Sequence, residues 1–213
     1  MRLISLFMIE KKFPDWNELY KNQRAETMPW YNEALDEDLK SELEKRNIKG
    51  GTFLDLGTGP ATQAFQLANM GFKVKASDIS EAAIFAAKKI MSETKNAKIK
   101  HVDFIVDDIL NSKINDDEFD YIFDRGCFHV LPVSKRLTYI IEVNKKLKYH
   151  GLLFLKVFSD KELRNDGPYK FSENEIRDIF ERESFQIEGI EESVFQGNLI
   201  PLPKALFVTM MKI

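Results

Sequence analysis

The sequence predicts a doubly wound α/β fold: a mostly parallel, seven-stranded sheet with an antiparallel carboxyl-terminal strand and helices on both faces. Three observations predict it. The stretch 52–68, TFLDLGTGPATQAFQLA, passes from a short apolar run through a glycine turn into a helical pattern with Ala64, Leu67 and Ala68 on one face. Short apolar runs then alternate with helical patterns, the order of βα units that builds a parallel sheet. The chain closes on two strand-like runs with no helix between them, which fits an antiparallel edge hairpin.

Ahead of the glycine turn, residues 1–50 read as a helical arm or lid on a core of residues 51–213, together forming one domain of 213 residues. The first nine residues, MRLISLFMI, are apolar but too short to span a bilayer, and no small-residue cleavage site follows them. Trp16, Leu19 and Tyr20 fall at helical spacing, and Leu35, Leu39 and Leu43 make a second amphipathic face. Pro29 breaks helix between them. Pro60 suits the first position of the helix after the glycine turn, where its missing N–H costs nothing.

In the core, Phe72–Ser77 alternates as a second strand and ends at Asp78, and Ser80 is a good N-cap for the helix that follows. Val102–Val106 and Phe119–Phe123 are the third and fourth strands, ending at Asp107-Asp108 and at Asp124-Arg125-Gly126. A helix is expected over 134–149, stopped by His150-Gly151, and Leu152–Phe158 is a buried strand carrying one lysine. Ser172 and Glu175 form a capping box. Strands near 185–195 and 205–211 complete the count.

Net charge of −3 and a pI near 5.8 argue against a phosphate-backbone binder, so no nucleic-acid partner is expected. The single cysteine, Cys127, excludes an internal disulfide and a cysteine-rich zinc site, and no metal-ligand spacing exists. A cytoplasmic protein without membrane spans is the expectation; oligomeric state is not legible.

The chemistry-bearing residues recur at strand ends. In open α/β sheets ligands bind beyond the carboxyl ends of the strands. Asp55 stands beside the glycine turn, where a carboxylate repels pyrophosphate and favours an ammonium or sulfonium group. Thr62 occupies the sixth place of the G-x-G-x-x-G pattern, so the dinucleotide fingerprint is incomplete. Asp78 follows about twenty residues later, where an acid accepts both ribose hydroxyls.

These residues resemble the class I S-adenosylmethionine (SAM) methyltransferases, which have a Rossmann-like fold. The motifs are LDLGTG, KASDIS, FIVDDIL and FDYIFDRGCFHVLP, and the similarity runs over residues 50–213. It implies SAM as cofactor and S-adenosylhomocysteine as product. Asp55, Gly57 and Gly59 would surround the methionine part, and Asp78 would hold the ribose with Ile79 beside it. Asp108 would accept from the adenine amino group with Ile109 against the ring, or Asp107 in its place. Asp124 and Gly126 would lie beside the sulfonium. Ala61 stands where the fuller motif has a third glycine. The stretches MPW and GPYKFSENEIRDIFERESFQIEGIEESVF look like small-molecule methyltransferases of the thiopurine and tellurite-resistance kind. There Trp30 would close over the cofactor, or it anchors the arm by packing.

The implied reaction is in-line methyl transfer to a small molecule with a sulfur, nitrogen, oxygen or chalcogen nucleophile. The protein mainly aligns the partners and excludes water. His129 is the candidate to take a proton or orient the acceptor, against a packing role. Arg125 is the candidate to meet an anionic substrate, against a salt bridge to a neighbouring acid. Cys127 reads as a small buried residue. The alternatives are a protein (lysine) methyltransferase, because D-R-G-x-F also occurs in some of those, and a catalytically silent SAM-binding regulatory module.

Overall fold

The computed structural model describes residues 10–213, so the expectation for the first nine lies outside the described residues. In chain order the elements are α1 (Trp16–Asn22), α2 (Glu37–Lys45), β1 (Thr52–Leu56), α3 (Thr62–Asn69), β2 (Lys73–Asp78), α4 (Glu81–Glu93), β3 (Asp103–Val106) and β4 (Phe119–Arg125). There follow α5 (Val133–Lys146), β5 (Leu147–Ser159), the two-residue β6 (Lys170–Phe171), α6 (Glu173–Phe180), β7 (Phe185–Val194) and β8 (Lys204–Lys212). The main sheet runs β3-β2-β1-β4-β5-β8-β7, with β6 paired to β5 outside that path. Of these strands β8 alone runs against its neighbours, pairing antiparallel with both β5 and β7.

Alternation along β1 explains the layers. Leu54 and Leu56 enter one buried cluster with Ile122, Tyr139, Val143 and Leu153, under α5 and α6. Phe53 points the other way, joining Leu39, Leu43, Ala64, Leu67 and Phe154 under α2 and α3. Each helix starts where the sequence supplies a cap. Ser80 accepts from the Ala83 amide, and Ser172 and Glu175 close the capping box.

Three local expectations are corrected. Pro60 is not the first helical residue: α3 begins at Thr62 behind Ala61, whose φ of 61° is left-handed. The helix expected to reach residue 149 ends at Lys146, because Leu147 leaves it to pair with Phe119 and is fully buried there. The arm is also less helical than its pattern, with α1 and α2 separated by one 3-10 turn and an extended stretch. The last two strands do form the expected antiparallel hairpin at the edge of the sheet. Within it β7 is the outermost strand, while β8, buried from Ala205 to Met210, inserts beside β5.

Candidate active site

The carboxyl ends of β1 to β4 form one rim. Leu56 pairs with Ser77 on one side and Asp124 on the other, and Asp78 lies opposite Val106. The register continues past the strands, since the Thr58 amide donates to the Ser77 carbonyl and the Asp107 amide to the Asp78 carbonyl. Asp55, Asp78, Asp107, Asp108 and Asp124 therefore stand along a single edge of the sheet.

The glycine turn crosses this edge with Gly57 at φ 69° and Gly59 at φ 51°, conformations that side chains rarely adopt. Gly57 is exposed at the rim. One oxygen of Asp55 accepts from the Thr58 hydroxyl (2.5 Å) and the Ala64 amide (3.1 Å). Asp78 accepts from the Gly59 amide and the Ser80 amide, both at 2.8 Å. Burial pushes the Asp55 carboxyl up to about 6 and the Asp78 carboxyl above its ordinary value, against the pull of those donors. Among the described residues none of the five rim acids forms an ion pair, although the buried Asp36 behind them forms two. Desolvated carboxylates without a cation fit a ligand that brings positive charge of its own. The rim therefore suits SAM, whose ammonium and sulfonium groups are positive.

Beside the acids lie flat apolar patches. Ile79 and Val106 are 53 % and 45 % exposed at the adjoining ends of β2 and β3. Ile109 is different: its side chain is buried in the core cluster under α5, so its side chain does not lie on the open rim. Asp107 is buried and turned to the Lys113 amide (2.8 Å), with its other oxygen unpartnered among the described residues. Asp108 is half-buried at the rim and accepts from the Leu110 amide (3.0 Å).

Beyond β4 two expected site residues have other work. Asp124 is fully buried. One oxygen takes the Gly126 and Cys127 amides (2.9 and 2.7 Å), the other the Phe128 amide and the Tyr139 hydroxyl (2.9 and 2.5 Å). With both oxygens filled it shapes the turn from inside and does not face a sulfonium. Arg125 does not stand free for an anionic substrate. It donates to Asp36 (2.9 Å), to the Trp30 carbonyl (3.0 Å) and to the Gln196 carbonyl, and stacks on Phe195 at 4.6 Å.

Gly126 stands with φ 120°, and a Cβ there would come within 3.1 Å of the His129 ring. That ring is buried between Phe158 and Phe195, with centroids at 5.3 and 5.5 Å, and its Nδ1 has no partner among the described residues. Burial, then the Arg125 and Lys11 charges, push the imidazole down to about 3. It is neutral at physiological pH and too weak a base to take a proton there. The Cys127 thiol is pushed up by burial, in keeping with a packing role.

Residues that sequence reasoning passed over build the roof. The Tyr20 hydroxyl lies where a Cβ on Gly59 would meet it at 2.5 Å, and it accepts from the Trp30 indole N–H (3.3 Å). Asn17 accepts from the Ala82 amide (2.9 Å), tying α1 to the start of α4. Ring contacts run from Tyr169 through Phe13 and Trp16 to Trp30, which packs on Phe158 and Phe195 beside His129. Helical spacing of Trp16 and Tyr20 is the only sequence signal for this wall. No group of acids, histidines and cysteines among the described residues is placed to hold a metal.

Comparison with known proteins shows the family and the fold. A family model described as a methyltransferase domain matches residues 47–194. An uncharacterized methyltransferase of Schizosaccharomyces pombe is 34% identical over 110 residues, covering 50% of this chain and 71% of that protein. Phosphoethanolamine N-methyltransferase 2 of Caenorhabditis elegans is 30% identical over 127 residues, 59% of this chain but only 28% of that protein. Among solved structures, a TehB-like SAM-dependent methyltransferase of Corynebacterium glutamicum superposes with a TM-score of 0.62 at 18% identity, over 82% of this chain and 87% of that one. A SAM-dependent methyltransferase of Aquifex aeolicus gives 0.69 at 23% identity, over 95% and 100%. The chain belongs to the methyltransferase-domain family and is a SAM-dependent methyltransferase.

Proposed function

From membership of this family we infer that the chain methylates a small-molecule acceptor by in-line displacement. The observation that carries this reading is the interlocked roof. Asn198 donates to the Pro29 carbonyl (2.9 Å) from its amide and to the Glu26 and Met28 carbonyls from its side chain, while Arg125 grips Trp30 and Gln196 from below. An arm tied in this way to the 195–203 loop and to Arg125 at the end of β4 suits a compact acceptor better than a protein segment. The relative named for phosphoethanolamine supports the same class.

SAM supplies a methyl activated on positive sulfur, and the chain supplies its placement. In this reading Asp55, with Gly57 and Gly59, holds the methionine part and Asp78 the ribose. Asp108 accepts from the adenine amino group between Ile79 and Val106, with Ile109 contributing backbone. Gly126 leaves room at the transfer point, and Trp30 with Tyr20 covers it. Asp124 and Arg125 position the turn and the arm. His129 is a neutral wall that orients the acceptor without deprotonating it. The acceptor therefore arrives as a free lone pair, such as a thiolate, a reduced chalcogen anion or an unprotonated amine. The single cysteine supports a cytoplasmic location.

Incubating the protein and labelled SAM with a cell lysate tests the class of acceptor. Label in small metabolites is the expected result, and label confined to protein bands overturns it.

A further inference from the structure

The two sides of the site carry opposite charge. The cofactor rim is acidic, whereas the segment bordering His129 on the other side gathers cations. The Tyr169 amide donates to the His129 carbonyl (2.8 Å), so this segment lies against the turn that carries His129. Lys11 and Arg136 lie 5.6 and 4.9 Å from the centre of the Tyr169 ring, and Lys170 is the next residue along the chain.

None of the three cations has a carboxylate within ion-pairing distance among the described residues, whereas fifteen other lysines and arginines there do. Residues 1–9 contain no acid that could supply it. Their hydrogen bonds go to carbonyls instead: Lys11 to Gly167 and Pro168 (2.8 and 2.7 Å), Lys170 to Glu162 (2.6 Å), Arg136 to Leu131 (3.3 Å). The surrounding acids act only at a distance or are otherwise engaged. Asp166 offsets the Lys11 charge in part, Glu175 that of Arg136, and the Glu162 carboxylate is bound to Arg164. Burial and the Lys170 ammonium push Lys11 down, and burial lowers Arg136. The Tyr169 hydroxyl accepts from the Lys11 amide (2.9 Å), which leaves its own proton to give.

We propose that Lys11 and Arg136, over the Tyr169 ring, together with Lys170 beside it in the chain, form a subsite for an anionic group, phosphate or carboxylate, carried by the methyl acceptor. This rests on the small-molecule reading and narrows it to acceptors with a negatively charged end. The aromatic wall takes the body of such a molecule, the cations its charge.

Isothermal titration of inorganic phosphate and of sodium acetate into the protein saturated with S-adenosylhomocysteine tests the subsite without reference to turnover. One equivalent of anion is expected to bind the wild type, and the preferred salt tells phosphate from carboxylate. Lys170→Gln and Lys11→Met should each weaken it by at least about tenfold, while Lys88→Met on the exposed face of α4 leaves it unchanged. Lys170→Gln decides the matter if Lys11→Met also lowers homocysteine-cofactor affinity through the arm. No binding to the wild type, or equal binding by Lys170→Gln and Lys88→Met, overturns the proposal. Anion binding that persists while label goes only to protein would overturn the small-molecule reading and leave the subsite standing.

Discussion

Asp55 and His129 are both buried, yet their titrations pull stability in opposite directions. The Asp55 carboxyl rises from 3.8 to about 6 on folding, so between those values the folded chain holds the extra proton. Its contribution is lost as pH rises through that window, leaving a penalty on the order of 3 kcal/mol at neutral pH. The His129 imidazole falls from 6.5 to about 3, so there the unfolded chain holds the extra proton and stability is lost as pH falls. Denaturant unfolding across pH 4 to 7 separates the two. Relative to wild type, Asp55→Asn should become more stable as pH rises through its window, and His129→Phe more stable as pH falls. Differences that do not change with pH contradict the assignment. A bound ammonium should also draw the proton off Asp55. Calorimetry of S-adenosylhomocysteine in buffers of different ionisation enthalpy should therefore show about half a proton released near pH 6, fading toward pH 8. Release that survives Asp55→Asn would assign it elsewhere.

Elements as units were easier to foresee than the ties between them. The glycine turn, the Ser80 cap and the Ser172–Glu175 capping box are local chemistry, and all are present. What holds the arm to the core is non-local. Lys156, the lone lysine in the apolar run of β5, is fully buried and donates to both oxygens of Asp36 (3.0 and 2.8 Å) and to the Gln196 side chain (2.7 Å). Asp36 also takes Arg125 and caps α2 through the Asp38 amide. A charge in a strand pattern is visible in sequence, but its partner, 120 positions away, is not. For the same reason the salt bridge weighed for Arg125 could be foreseen, but not that its partner is Asp36 of the arm. Asp36→Ala would strand the buried Arg125 and leave Lys156 with Asp38 as its one carboxylate, and should cost about 3–5 kcal/mol in urea unfolding. A loss under about 1 kcal/mol would mean that the network is solvated and does not fasten the arm.

At the scale of the whole molecule, topology brings the site together. The strand order carries the ends of β1, β2, β3 and β4 to one edge, and the spacing of acids at strand ends was enough to anticipate that row from sequence. It could not reveal which acids face outward. Asp124 sits at the same kind of strand end as Asp78, but its two oxygens are consumed by its own turn and by Tyr139, a residue on the next helix. The central claim is that carboxylates without cationic partners on this edge recognise a positively charged cofactor. Calorimetric titration of the wild type and Asp78→Asn with SAM, and separately with NAD, tests it most directly. The account predicts that SAM binds the wild type, that Asp78→Asn weakens it by at least about tenfold, and that NAD does not compete. Tight binding of NAD with none of SAM, or SAM affinity untouched by Asp78→Asn in a folded protein, would contradict it.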